Sequence, residues 1–146
     1  MSAKIFPTAQ DAEAAFYEAL ERCDLDGMMA VWAEDEDIVC VHPAGARLTG
    51  QDQVRESWAK MFAAGPQARL AIEQQVAISG MMLAVHSVFE RFTIPQARPE
   101  AQPAPIVATN VYLRTAAGWR MIVHHASPAP AQPPAAPRET GPKILH

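Results

Sequence analysis

Long apolar runs are missing from this chain of 146 residues. Nowhere does an apolar stretch reach the length that crosses a bilayer, so no membrane partner is expected. The opening "MSAKIFPTAQDAEAAF" holds no apolar segment followed by a small-residue cleavage site, which points to a cytoplasmic protein. Runs of Lys and Arg are missing too. Twelve basic against sixteen acidic side chains leave a formal net charge of -4, which offers nothing to a phosphate backbone, and nucleic acid drops out as a partner. Cysteine is scarce: Cys23 and Cys40 are the only two. One falls in a predicted helix and the other in a predicted strand, a poor basis for a disulfide framework and an ordinary one for reduced thiols in a core. The sequence has no His-x-His, His-x-x-x-His or Cys-x-x-Cys spacing, no Gly-rich phosphate loop and no Gly-x-Ser-x-Gly elbow. Neither a metal nor a cofactor is therefore expected, and serine-nucleophile chemistry has no support.

What is present suits one soluble domain with one core, at 49% hydrophobic and 19% charged residues. Thr8, three residues before Asp11, caps a predicted helix over about residues 8–23, whose apolar positions Ala12, Ala15, Phe16, Ala19, Leu20 and Cys23 recur at three and four. Asp24 caps a second, short helix with Leu25, Met28, Met29 and Trp32 on one stripe. After the acidic run Glu34–Asp37, "DIVCVH" reads as a strand stopped by Pro43, and "PAGARLTG" as an edge or a turn. A third helix places Val54, Trp58, Met61 and Phe62 together and stops at Gly65-Pro66.

The second half changes period. "ARLAIEQQVAISG" and "MMLAVHSVFERFTI" form a predicted hairpin around Ser79-Gly80. Four prolines make residues 95–105 a loop. "IVATNVYLRT" and "WRMIVHHAS" form another hairpin, and residues 128–146 read as a Pro/Ala-rich tail after a domain of residues 1–127. Helices first and a long meander last is an α+β pattern.

That order, with "VWAEDEDIVCVHPAGARLTGQDQVRESW" and "NVYLRTAAGWRMIVHHAS", resembles the NTF2-like superfamily, in particular its SnoaL-like (polyketide-cyclase-like) branch of small bacterial proteins, over about residues 8–127. The resemblance implies a cone-shaped α+β domain. Three N-terminal helices would pack on a strongly bent antiparallel sheet, with a pocket between them, usually in a homodimer. Its members range from isomerases, cyclases and epoxide hydrolases to non-catalytic transport and assembly domains, so the fold does not decide the function.

Neighbouring strand residues point to opposite faces, so only one of His124 and His125 can enter a pocket. A three-residue loop at Ala116–Gly118, with Gly118 left-handed, pairs Thr115 with Trp119, Leu113 with Met121, Val111 with Val123 and Thr109 with His125. This register sends His125, Thr109 and Trp119 to an apolar face together with Ser87, and that face is expected to look into the pocket. Trp32, Trp58 and Asp37 complete the expected ligand-binding set. The opposite face carries His86, Asn110, Tyr112, Arg114 and His124, a mixed polar surface suited to a dimer interface.

Two histidines are candidate general bases, His42 and His125, since an unperturbed imidazole titrates near neutrality. His42 precedes Pro43, and in the related ketosteroid isomerases a catalytic Asp lies in a similar segment before a proline. Two functions follow from these readings. One is a pocket protein for a hydrophobic small molecule, with proton-transfer isomerase or cyclase chemistry at His42 or His125. The other is a non-catalytic homodimeric binding or assembly module. The sequence holds no catalytic carboxylate pair that would decide between enzyme and binder.

Overall fold

A computed structural model of the chain describes residues 4–130. The last strand ends at Pro128, and the tail expected over residues 128–146 lies outside the described residues from residue 131 on.

The Thr8 hydroxyl caps helix α1 (Ala9–Arg22) by accepting the Asp11 N–H at 3.0 Å. The helix stops at Cys23, which takes the left-handed conformation usually left to glycine and sends its own N–H back to Leu20. Asp24 then accepts from the Gly27 N–H at 3.0 Å and starts α2 (Leu25–Val31). Strands β1 (Val39–Val41) and β2 (Arg47–Thr49) make a small antiparallel pair before α3 (Gly50–Phe62). The long hairpins β3 (Arg69–Ser79) with β4 (Leu83–Thr93), and β5 (Ile106–Thr115) with β6 (Gly118–Pro128), follow as expected from their periodicity. No helix among the described residues is long and apolar enough to cross a membrane.

The six strands form one sheet in the order β2-β1-β6-β5-β4-β3. The expected α+β architecture is the one found, with one parallel pairing inside the otherwise antiparallel sheet, β1 against β6. The edge of β6 is met in succession by three segments running parallel to it: Phe6 at Gly118, Trp32 at Met121, and β1 at Val123 to His125. Helices α1 and α3 cover the other side of the core, where Phe16, Met28, Trp32, Trp58, Tyr112 and Met121 are fully buried.

One hairpin register differs from expectation. Thr115 pairs with Gly118 and Tyr112 with Met121 near the tip, and a bulge then restores the expected Val111–Val123 and Thr109–His125 pairs. Gly118 is left-handed, with φ +92, but the turn spans two residues and not three. The extra residue sits further down the strand, where β6 bends over the helices.

At Gly118 a Cβ would stand 2.9 Å from the backbone N and O of Phe6, whereas at Gly65, also left-handed, it would meet nothing within 4 Å. Gly118→Ala should therefore destabilise by about 2–3 kcal/mol and Gly65→Ala by about 1 kcal/mol, measured by urea denaturation. Equal losses at the two sites would contradict the packing of the N-terminal segment on β6.

Candidate functional site: a polar chain inside the core

The stripe of α1 that faces the sheet, Ala9, Ala12, Glu13, Phe16, Tyr17 and Leu20, contains an acid and a phenol. Both are buried, and burying polar groups is tolerable only where partners wait for them. The inward positions of the strands supply those partners: His86 and Glu90 on β4, Asn110 and Tyr112 on β5, His124 on β6, none more than 2% exposed.

Glu13 gathers donors. Its Oε2 receives the Tyr112 hydroxyl at 2.8 Å, the His86 Nδ1 at 2.8 Å and, at a longer 3.4 Å, the Asn110 amide, while Oε1 receives the Gln75 amide. A second set runs across four elements in one direction. Because the Asn110 amide nitrogen donates to the Tyr17 hydroxyl at 2.8 Å, its Oδ1 is the acceptor for His124 Nδ1 at 2.6 Å, which fixes His124 as the Nδ1–H tautomer. Tyr17 in turn donates to Glu90 Oε2 at 2.7 Å.

The same burial perturbs the ends of this chain in opposite senses. Burial, with the charge of Glu13 adding to it and the Tyr17 hydrogen bond opposing it, raises the Glu90 carboxyl to about 7. Burial lowers the His124 imidazole to about 3, helped by His42 and His125 nearby. Near neutrality His124 is therefore an uncharged ring, and Glu90 is poised between its two states.

A smaller constellation lies beside it. His42 is half-buried, edge-on to Trp58 at 4.6 Å, with Nε2 at 3.0 Å from Ser57 Oγ and 3.8 Å from Cys40 Sγ. Ser57 gives its only proton to the Val54 carbonyl at 2.8 Å, so His42 Nε2–H donates to Ser57 and Nδ1 keeps the free lone pair. Burial also depresses the His42 pKa, and the neutral imidazole that base chemistry needs is the favoured form. Cys40 is a free buried thiol, pushed up to about 12 by burial and Glu90. Cys23 is free as well.

The structure reverses the expected assignment of faces. His124 is interior and His125 is exposed, beside Thr109, also exposed, and half-buried Ser87 on the outer side of the sheet. The partition of residues between faces was legible, but which face is the core was not. An apolar-inward rule fails here because Glu13 and Tyr17 carry polar partners into the interior. For the same reason His86, Asn110, Tyr112 and His124 cannot form a dimer interface, being buried within a single chain; Arg114 alone of that set is exposed. Trp32 and Trp58 are core residues, Trp119 is half-buried and Asp37 is exposed, so the expected ligand-binding set is not gathered at one place. Glu13, Tyr17 and Glu90 escaped the sequence reading as site residues. The available signal was an acid at position 13, spaced at three, four and seven from Ala9, Phe16, Tyr17 and Leu20.

A family model for the SnoaL-like domain matches residues 10–132. The chain belongs to the SnoaL-like domain family. It lies within the NTF2-like superfamily, as the solved structures with this fold also indicate. A protein from Thiobacillus denitrificans provisionally described as a calcium/calmodulin-dependent protein kinase type II association domain is 43% identical, over 87% of this chain and 99% of that one, with a TM-score of 0.78. An NTF2-like protein from Streptomyces avermitilis, provisionally described as a dehydratase, is 29% identical over 82% of this chain and 92% of its own, with a TM-score of 0.72. A provisionally described ketosteroid isomerase from Parabacteroides distasonis shares the fold at 18% identity, 82% and 86% coverage and a TM-score of 0.66. Among curated proteins none matches.

In this SnoaL-like domain the raised Glu90 pKa has a definite sign for stability. A carboxyl held above its ordinary 4.5 favours the folded state at low pH, and that stability is lost as pH rises from about 4.5 through about 7. Glu90→Gln, which can still accept from Tyr17, should change stability little at pH 4.5 and raise it by about 3 kcal/mol at pH 8. Urea denaturation of both proteins at the two pH values checks this, and a pH-independent difference would contradict it.

Proposed function

We propose that the chain is an association domain whose work is to hold copies of itself together through the outer face of its sheet. The observation that carries this reading is a row of aliphatic side chains. Ile78 pairs with Val85, Val85 with Val111, Val111 with Val123 and Val123 with Val39, so one β-branched rung crosses five strands on the side away from the helices. On the same face Phe89 and Val107 form a second apolar pair, separated from the rung by Ser87, Thr109 and His125. Beyond the rung in the other direction, the β3–β4 hairpin carries Ile78 64%, Met81 85%, Met82 56% and Leu83 45% exposed. Single apolar residues scattered over a solvated face need no partner, whereas an aliphatic rung that spans five strands marks a surface that meets another.

The identity of 43% to a protein described as an association domain, over almost the whole of that protein, supports the same reading. So does the filling of the interior. Phe16, Trp32, Trp58, Met121 and the polar chain occupy the space between helices and sheet, and none of these residues lines the surface clefts beside Glu34 and Arg120, beside Leu20 and Phe92, or beside Lys4 and Glu18. A second reading, proton transfer on a small hydrophobic carbonyl compound, is favoured by one observation, the Glu90 carboxyl at about 7 beside Tyr17. It requires a substrate to reach a group that is 2% exposed.

Sedimentation at micromolar concentration tests the first reading. The wild-type chain should run as a dimer or larger, and Val111→Lys, at the middle of the rung, should run as a monomer with its far-UV circular dichroism retained. A monomeric wild-type protein would overturn the proposal.

A further inference from the structure

Trp32 lies opposite Met121 and Val39 opposite Val123, so the chain between them detours through residues 33–38 while β6 advances by two residues. This detour holds Glu34, Asp35 and Glu36 out from the sheet edge, facing the tip of the β5–β6 hairpin. Between them opens a cleft of about 430 Å³, within the size range of small-molecule sites. Arg114 and Arg120 form the wall opposite the acids.

Arg120 is the unusual member. It is 6% exposed, its guanidinium carbon stands 4.9 Å from the centre of the Phe6 ring, and one nitrogen donates to the Lys4 carbonyl. Its Nη1 is buried with no partner among the described residues. A buried guanidinium N–H without an acceptor is costly, and a bidentate carboxylate is the group whose geometry relieves it. The protein's own acids do not supply one: among the described residues neither arginine makes an ion pair, and Glu34, Asp35 and Glu36 make none either. Opposite charges line one cleft, and although the charge of Glu34 acts on Arg120, no ion pair closes between them among the described residues.

We propose that this cleft binds a free α-amino acid, its carboxylate received by Arg114 and Arg120 and its ammonium group by Glu34, Asp35 and Glu36. Three acids against two arginines leave the walls one charge negative, which favours a basic side chain over an acidic one. The proposal is independent of self-association, since it uses the hairpin tip and the acidic detour and not the aliphatic rung.

Isothermal titration of the full chain with L-lysine tests it, against two probes that each lack one recognised group: cadaverine, without the carboxylate, and Nα-acetyl-lysine, without the α-ammonium. L-Lysine should bind at least about tenfold more tightly than either, and more tightly than L-glutamate. Arg114→Ala and Glu34→Gln, both at exposed positions, should each weaken L-lysine by about fivefold or more with the melting temperature unchanged. Absence of binding at millimolar L-lysine would overturn the proposal. So would equal affinity for cadaverine, which would reduce the site to an acidic patch for amines, or variants that bind as the wild type does.

Discussion

Everything in this structure turns on a carboxyl group placed on the buried stripe of a helix. Glu13 cannot be left in the core without donors, and the sheet beneath it is built to provide them from His86, Tyr112, Asn110 and Gln75. That requirement makes the inner face of the sheet polar where apolar residues would be the default. Removing one partner would strand the others, so the network is held together by the cost of breaking it more than by the gain of making it. The polar inner face ties β4, β5 and α1 together in one register, because Glu13 and Tyr17 must both meet their strand partners.

The same arrangement explains the outer face. With His86, Asn110 and His124 turned inward, alternation sends their neighbours Val85, Val111 and Val123 outward, and the rung from Ile78 to Val39 is the result. A monomer of this kind would present an apolar face to water, and a second copy is the partner that self-complementary surfaces find most readily. Polar core and apolar outer rung are thus two sides of one sheet. The raised Glu90 carboxyl and the neutral His124 follow from the interior's dryness and do not by themselves mark a reacting centre.

Much of this architecture was legible in the sequence. Thr8 and Asp24 mark the helix starts by cap chemistry that depends on neighbours three residues away. Both long hairpins, the Pro-rich loop and the Val111–Val123 register are local or period-two signals. What could not be read was the sign of the sheet. Alternation sorts residues into two sets but does not say which set meets the helices, and hydrophobicity answered wrongly because it is blind to Glu13 and Tyr17 on a helix a hundred residues away. The bulge that shifts the hairpin near Tyr112 is a response to bending over the core, a tertiary cause with no sequence mark of its own. Likewise the cleft at Arg120 joins an acidic run and a hairpin tip that lie far apart in the chain.

The measurement that tests the inverted sheet most directly is the imidazole state of His124, followed by long-range ¹⁵N–¹H correlation of the histidine rings from pH 8 downward. A ring sealed against Phe16 and Trp58 and bonded through Nδ1–H to Asn110 should remain the neutral Nδ1–H tautomer to pH 5, since its pKa is lowered to about 3. A His124 ring that titrates with an ordinary midpoint near 6.5 would place it at the surface, and an Nε2–H tautomer would remove its bond to Asn110; either result would contradict the account.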